Sequence, residues 1–289
     1  MMSQPPWQNA LQKCAASLRS PSLVESGKFV ISILCPTRGR PEGLARLLDS
    51  LIKNTVYPER VELLCYLDDN DSRLPAYSVL LNNETGDYSK FKMVTTIVAP
   101  PIGIFRAWNE LARISTGDML IMAADDQTYN TSGWDRRLDE ERAVCPDELF
   151  CMWFNDGYWG ERLCTFPIVS RHWCKLLGYF VPPFFERLYG DLWIMDIAMR
   201  IGRLRYIPDV LTEHLHWSYG KAPIDATYEQ QVDFSGNAKP VVQRDMDLFC
   251  LTSHYRETDA RRLIAAMDEE EGKLLPGMHL KGRASIFED

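Results

Sequence analysis

The feature that most constrains this chain is a regular alternation of apolar runs and helical repeats across its first half. Short runs rich in β-branched and other apolar side chains have the character of buried strands; they are Phe29–Cys35, Val61–Leu67, Met93–Val98 and Asp118–Ala123. Between these runs, apolar residues recur with helical spacing at Leu44–Ile52 and Phe105–Ala112. Strands and helices in this order predict an α/β fold with a mostly parallel central sheet flanked by helices.

Polar loops directly follow these predicted strands at Pro36–Arg40, Asp68–Asp71 and Asp125–Gln127. In a parallel sheet of this kind, ligands bind beyond the carboxyl ends of the strands. Adjacent acidic residues in the second and third loops repel each other unless a cation or sugar hydroxyl groups compensate for their charge. The sequence therefore predicts a ligand-binding site along this edge of the sheet.

The second half of the chain is less regular. Aromatic-rich runs at Leu149–Phe154 and Leu163–Val169 predict strands, and Tyr206–Trp217 predicts a further extended stretch. Between them, apolar residues at helical spacing predict a helix that begins near Leu192 and ends at Gly202.

Segments outside this region are simpler. Residues 7–19 carry one apolar helical face, and Thr258–Met267 predicts a final helix. Residues 218–248 mix Gly, Pro, Asp and Gln, which predicts a long loop. We therefore divide the chain into an N-terminal helical extension at 1–28, one domain at 29–217 with halves 29–130 and 131–217, and a C-terminal loop, helix and tail at 218–289.

Composition narrows the class of protein. The formal net charge of −8 argues against a broad nucleic-acid footprint, because neutralising phosphates requires clustered Lys and Arg. The cysteines are scattered without CxxC spacing, which disfavours a zinc or redox site. Met1–Gln8 lacks a basic region followed by an apolar core, and no apolar run approaches the roughly 18 residues of a membrane span. We expect a soluble, cytoplasmic protein.

The adjacent acids Asp125 and Asp126 are the first candidates for chemistry. Carboxylates at a strand end are the hard oxygen ligands that Mg²⁺ or Mn²⁺ prefers, with a diphosphate completing the shell. A metal ion there would neutralise the charge that develops on a departing nucleoside diphosphate. The plainer alternative is a solvated turn in which an Asp caps the next segment.

His214, His216 and Asp191 are candidates from the second half. In an extended strand the two imidazoles point to one face, which suits either a pair of metal ligands or one ligand plus a diphosphate contact. Asp191 opens the predicted helix near Leu192, so it is either an N-cap or a general base that removes a proton from an acceptor hydroxyl.

Basic and amide side chains could bind the anionic part of a ligand. Arg106 and Asn109 lie one helical turn apart and can face the same ligand. Arg38 and Arg40 can contact phosphate, although surface arginines beside a turn are equally common.

Taken in order, these motifs resemble family 2-type GT-A glycosyltransferases, within the nucleotide-diphospho-sugar transferase superfamily. In the nucleotide-binding half the resemblance is carried by VISILCPTRGRPEGLARLLDSL, VELLCYLDDND and GIFRAWNELARISTGDMLIMAADDQ. In the acceptor half it is carried by TFPIVSRHWCKLLGYF and YGDLWIMDIAMRIGRLRYIPDVLTEHLH. The resemblance implies a single GT-A domain with a Rossmann-like sheet and an irregular acceptor half.

The resemblance also implies a role for each matched position. Residues at the ends of the first two strands would bind the nucleoside: Pro36, Thr37, Arg38, Arg40, Asp68 and Asp69. Asp125 and Asp126 would occupy the position of the metal-binding motif, where the family usually has Asp-x-Asp, and His214 or His216 would complete the metal shell. Asp191 would be the catalytic base, preceded by Gly190 where the family usually has Glu.

The predicted function is a metal-dependent transfer, with inversion, of a sugar from a nucleoside-diphosphate sugar to an acceptor hydroxyl. One alternative is a non-catalytic protein that binds nucleotide sugars. Another is a sugar nucleotidyltransferase, which requires a glycine-rich phosphate loop where this chain has only Gly39. The acceptor stays open among a saccharide, a lipid-linked sugar and a modified nucleobase.

Overall fold

The computed structural model describes residues 29–81, 87–226, 228–230 and 240–274. The helix predicted at 7–19 and the extension at 1–28 lie outside the described residues. None of the helices in the described part of the chain combines the length and apolar character needed to cross a bilayer.

The order of elements follows the alternation seen in the sequence. The described strands are β1 (Ile31–Thr37), β2 (Val61–Asp68), β3 (Met93–Ala99), β4 (Met119–Met122), β5 (Gln127–Tyr129), β6 (Cys151–Asn155), β7 (Ile168–Ser170) and β8 (Leu204–His214). The described α-helices are α1 (Pro41–Asn54), α2 (Leu74–Leu81), α3 (Ile104–Ile114), α4 (Trp134–Arg142), α5 (Arg171–Leu177), α6 (Gly190–Arg200), α7 (Pro240–Leu251) and α8 (Ser253–Leu274).

The strands form one sheet in the order β3-β2-β1-β4-β7-β6-β8-β5. Pairs β3/β2, β2/β1, β1/β4 and β6/β8 are parallel, whereas β4/β7, β7/β6 and β8/β5 are antiparallel. Parallel neighbours need crossover connections: α1 joins β1 to β2, and α2 joins β2 to β3. The connection from β3 through α3 returns to β4, which pairs with β1. The predicted mostly parallel sheet flanked by helices is confirmed.

Side chains alternate between two cores on opposite faces of the sheet, as the pleat of a strand requires. On β1, Ile31 and Ile33 pack into the core that contains the leucines of α1, whereas Leu34 packs into the core that contains α3. Because β1 is buried on both faces, its sequence is a continuous apolar run.

The predicted strand at Leu163–Val169 is shorter in the structure, since β7 contains only Ile168–Ser170. The preceding residues form a turn around Asp156. One oxygen of Asp156 accepts the backbone N–H groups of Tyr158, Trp159 and Gly160, and the other accepts the hydroxyl of Thr165. A side chain that binds the backbone in this way competes with strand pairing.

The long loop predicted at 218–248 is wrong in its last part, because α7 begins at Pro240. The final helix is confirmed but longer than Thr258–Met267, since α8 spans Ser253–Leu274. Asp245 is the fully buried residue of α7, and Leu248 and Phe249 of the same helix pack, partly buried, against the core. Because Asp245 interrupts the apolar positions of α7, the sequence of this helix lacks an unbroken apolar stripe.

Candidate active site

A cleft of about 830 Å³ opens at the carboxyl ends of β1, β2 and β4. The strand ends bring Thr37, Asp68 and Met122 to its wall, and the start of α6 closes the opposite side. The predicted site residues that line it are Pro36, Thr37, Arg38, Arg40, Asp68, Arg106, Asp125, Asp126, Asp191, His214 and His216. The edge of the sheet expected from the sequence therefore carries a cavity large enough for a small-molecule ligand.

Asp125 is held firmly in this cleft. Its carboxylate accepts a hydrogen bond from the Thr37 hydroxyl at 2.5 Å and one from the Arg40 guanidinium at 3.1 Å. A Cβ atom on Gly43 would lie 2.5 Å from the carbonyl oxygen of Asp125, so α1 can approach this closely only because position 43 is glycine. Burial and the charge of Asp126 raise the pKa of Asp125.

Asp126 has different neighbours. The Tyr228 hydroxyl donates to one of its oxygens at 2.5 Å, and Nε2 of His214 lies 3.4 Å from the other. Burial raises the pKa of Asp126, but His214, Tyr228 and Arg40 outweigh burial and hold the pKa below its usual range. The two neighbouring carboxylates therefore differ: burial dominates the pKa of Asp125, whereas polar partners dominate the pKa of Asp126.

Arg40 supplies positive charge to both acids. Its guanidinium lies 3.5 Å from Asp126 as well as 3.1 Å from Asp125. Asp225 holds it through hydrogen bonds of 2.6 and 2.9 Å, and the Tyr228 ring lies 4.4 Å below it. The sequence reasoning missed Asp225 and Tyr228, because they lie in an aperiodic segment 185 or more residues from Arg40 along the chain.

The two histidines follow from the path of β8, which ends at His214. Their ring centroids lie 5.1 Å apart, and Nδ1 of His216 lies 2.7 Å from the Ser218 hydroxyl. Burial and the neighbouring His214 lower the pKa of His216 to about 4, so this imidazole is neutral at pH 7.

Divalent-metal binding can be tested against the atoms left without partners. Oδ1 of Asp126 and Nδ1 of His214 are buried and lack a hydrogen-bond partner. Within the described residues, no group of three His, Cys, Asp or Glu side chains is arranged to hold a metal ion. Oδ1 of Asp126, which faces Nε2 of His214 at 3.4 Å, is the unpartnered carboxylate oxygen of this set that suits a divalent ion.

The first and second strand ends are joined by polar contacts. The Arg38 guanidinium donates to Asp68 and to Asn70, each at 2.6 Å. Asp69 does not line the cleft and is exposed, and its backbone N–H donates to the carbonyl oxygen of Ala99. Asp68 and Asn70 are therefore the side chains that this turn presents beside Arg38.

The two residues predicted on α3 lie in different environments. Arg106 lines the cleft, but Asn109 does not. The amide of Asn109 donates to the carbonyl oxygens of Phe105 and Val181 and accepts the backbone N–H of Phe180. Its side chain connects α3 to the loop after α5.

Asp191 lies in the first turn of α6 and lines the cleft. The N-cap expected at this position is Tyr189 instead, because α6 begins at Gly190. The Leu192 amide N–H donates to the carboxylate of Asp191 at 2.8 Å. Burial raises the pKa of Asp191 to about 6, against the opposing effects of backbone N–H groups and His214.

No protein-family model matches the chain, and no curated protein matches its sequence. Its structure is similar to that of the mannosyltransferase PcManGT from Pyrobaculum calidifontis in complex with GDP-Man and Mn²⁺. The TM-score is 0.54 at 13% identity, over 94% of this chain and 84% of that chain. The chain has a GT-A-type fold. It is also similar to S. aureus TarS 1-349, with a TM-score of 0.49 at 13% identity, over 70% of this chain and 68% of that chain.

Proposed function

We propose that this protein is a glycosyltransferase that moves a sugar from a nucleoside-diphosphate sugar to an acceptor hydroxyl, with inversion at the anomeric carbon. The observation that carries the proposal is the set of side chains that line one cleft. An acid pair, two histidines and a carboxylate of raised pKa come from separate elements and line the same cavity of about 830 Å³. The Mn²⁺ and GDP-Man in the structure of the similar mannosyltransferase agree with this assignment.

The nucleoside diphosphate would bind along the ends of β1 and β2. Pro36, Thr37, Arg38 and Asp68 line this part of the cleft. The carboxylate of Asp68 already pairs with Arg38, so a ribose hydroxyl would join an existing polar network. Tyr228 and Asp225 hold Arg40 at the side of the acid pair, where the diphosphate would lie.

Asp126 and His214 would hold Mn²⁺ or Mg²⁺, with Asp125 and His216 beside them in the cleft. When bound, such an ion neutralises the charge that develops on the departing diphosphate. Arg40 contributes positive charge to the same region through the protein itself.

Asp191 would act as the general base. Its carboxylate takes the proton of the acceptor hydroxyl while the hydroxyl oxygen forms a bond to the anomeric carbon. The bond between that carbon and the diphosphate oxygen breaks on the opposite face, and the nucleoside diphosphate leaves with the electron pair. A pKa near 6 suits this role, because the group is ionised at pH 7 yet remains a stronger base than an ordinary aspartate.

The test of donor binding is a thermal-shift screen of UDP, GDP, CDP and dTDP, each with Mn²⁺, Mg²⁺ or EDTA. A ligand that binds only the folded state raises the melting temperature by mass action. We expect one nucleotide to give a metal-dependent shift that Asp126→Ala removes. Asp209→Ala is the matched control, because Asp209 is an exposed carboxylate that pairs with Arg137 outside the cleft. The absence of a shift with every nucleotide and metal would contradict the proposal.

A further inference from the structure

The wall of the cleft beside α6 is the loop at 183–189. Asp245 of α7, which is fully buried, fixes this loop from behind. Its carboxylate accepts the backbone N–H groups of Glu186, Arg187 and Leu188 at 3.1, 2.7 and 3.0 Å. A buried carboxylate that binds consecutive amides leaves this part of the wall little freedom to move.

Directly after this loop, the chain packs closely against α3. A Cβ atom on Gly190 would lie 2.1 Å from Cε1 of Phe105, so the start of α6 and the first turn of α3 meet in direct contact. Tyr189 has a φ of 75°, a backbone conformation that is uncommon outside glycine and is held here by its surroundings. Arg106, the neighbour of Phe105 on α3, lines the same cleft.

Arg187 is the unusual residue of this wall. It is half-buried and lines the cleft, and burial lowers its pKa, with Asp245 as the opposing charge. Within the described residues its guanidinium makes no hydrogen bond or ion pair. The Asp245 carboxylate is already bound to backbone amides. A half-buried guanidinium without a protein partner is free to bind an anionic ligand that enters the cleft.

Of the four other arginines in the described chain that line the cleft, three are paired with a carboxylate. Arg38 pairs with Asp68 at 2.6 Å, Arg40 pairs with Asp125 at 3.1 Å, and Arg244 pairs with Glu186. The exception is Arg106, which has no carboxylate partner among the described residues. Arg106 and Arg187 therefore bring positive charge to the cleft that no carboxylate of the described residues pairs with, although the formal net charge of the chain is −8.

We propose that Arg187, together with Arg106, binds a phosphoryl group of the acceptor, so that the acceptor is a phosphate-bearing molecule. The planar guanidinium presents its N–H groups in a fork that matches two phosphate oxygens. The loop that carries Arg187 leads directly into the first turn of α6, which contains Asp191, and both side chains line the same cleft. This inference rests on the proposed function, since it names the acceptor class for the same cleft.

The experiment measures phosphate binding to the full chain while the donor site is filled. Protein saturated with the metal and the nucleoside diphosphate found in the thermal-shift screen is titrated calorimetrically with sn-glycerol 3-phosphate, and with glycerol as the uncharged match. We expect the phosphate to bind and glycerol not to bind. Arg187→Gln should weaken phosphate binding by about tenfold or more, as expected when a charged hydrogen bond is lost. Its nucleoside diphosphate affinity should change less than about twofold.

Arg113→Gln is the matched control and should behave like the wild type, because Arg113 lies on the last turn of α3, largely exposed and outside the cleft. Unchanged nucleotide binding by Arg187→Gln also shows that this variant is folded. Glycerophosphoglycerol, a phosphodiester, separates the two sources of phosphate. Tighter binding of the diester would indicate a phosphodiester polymer, and tighter binding of the monoester would indicate a terminal phosphate.

Two results would overturn the proposal. One is equal binding of glycerol and sn-glycerol 3-phosphate. The other is an Arg187→Gln variant that loses nucleoside diphosphate affinity and keeps phosphate affinity, which would assign Arg187 to the donor. A second titration with sn-glycerol 3-phosphate, in the absence of nucleotide, tests the anion site separately from the glycosyltransferase assignment. Arg187-dependent phosphate binding, without any nucleotide binding, would refute the glycosyltransferase assignment and retain the anion site.

Discussion

The carboxylate of Asp191 lies where its ionisation is costly. Burial raises its pKa to about 6, and backbone N–H groups and His214 offset this only in part. The same residue that we propose as a base is therefore a source of instability at neutral pH. Buried carboxylates of this kind are typical of active sites, where a group that lowers the stability of the fold has a pKa suited to catalysis.

Asp191→Asn should separate these two effects. Asparagine keeps an oxygen that can accept the Leu192 N–H, but it cannot take a proton from the acceptor. We expect kcat to fall by about 10²-fold or more with unchanged nucleotide affinity. We also expect the free energy of unfolding to rise by about 1–2 kcal/mol at pH 8, less than the full shift would give because Asp191 is partly exposed.

The sign of this gain follows from the direction of the shift. The folded-state pKa of about 6 lies above the ordinary value of 3.8, so the native Asp191 loses stability as the pH rises through this range. The gain from asparagine should therefore vanish below about pH 4. Urea unfolding of the wild type and the variant, at pH 8 and at about pH 4, measures this gain in stability. Near-wild-type turnover by the variant would refute the assignment of Asp191 as the base.

The pH dependence of turnover is a second expectation for Asp191. A base must be deprotonated to act, so kcat/KM should fall about tenfold for each pH unit below about 6 and reach a plateau above it. The profile is measured between about pH 5 and 8 with the metal ion at saturation. A flat profile across that range would contradict the assignment.

At the level of elements, α7 and α8 belong to the architecture of the cleft. Asp245 of α7 fixes the loop at 183–189. The Tyr179 hydroxyl donates to Asp259 of α8 and accepts the indole N–H of Trp193 from α6. The apolar side of α8 enters the same core as α3 and α6. These helices therefore hold the wall from which α6 presents its first turn.

The contribution of α8 can be measured with two leucines. Leu263 is fully buried in the core shared with α6, whereas Leu251, at the end of α7, is 75% exposed. We expect Leu263→Ala to lower the free energy of unfolding by about 2–5 kcal/mol. Leu251→Ala should change it by less than about 0.5 kcal/mol. If the two substitutions had equal effects in chemical denaturation, α8 would not contribute to the stability of the fold.

At the scale of the whole molecule, the residues that line the cleft come from widely separated parts of the described chain. The acid pair and Arg40 come from the first half, Asp191 and His214 from the second, and Tyr228 from the segment after β8. Its charges are mixed in sign although the protein is acidic overall. A division at residue 217 remains a prediction, and it would remove Tyr228 and Asp245 from the site they support.

The sequence alone determined the elements that are defined locally. Buried parallel strands such as β1 and β2 are continuous apolar runs, and α1 and α3 have a marked apolar period, so both types can be recognised from neighbouring residues. The acid pair was recognisable for the same reason, since it directly follows β4. The parallel order of the strands then placed these loops at one edge.

Only the tertiary structure decided which polar groups meet across the cleft. Asn109 was indistinguishable from Arg106 in the sequence, yet its amide binds a backbone 72 residues away. Asp225 reaches Arg40 over 185 residues, and Asp245 fixes Arg187 over 58. A polar contact needs only one donor and one acceptor in the right geometry, so it leaves no periodic pattern in the chain, whereas burial of apolar surface does.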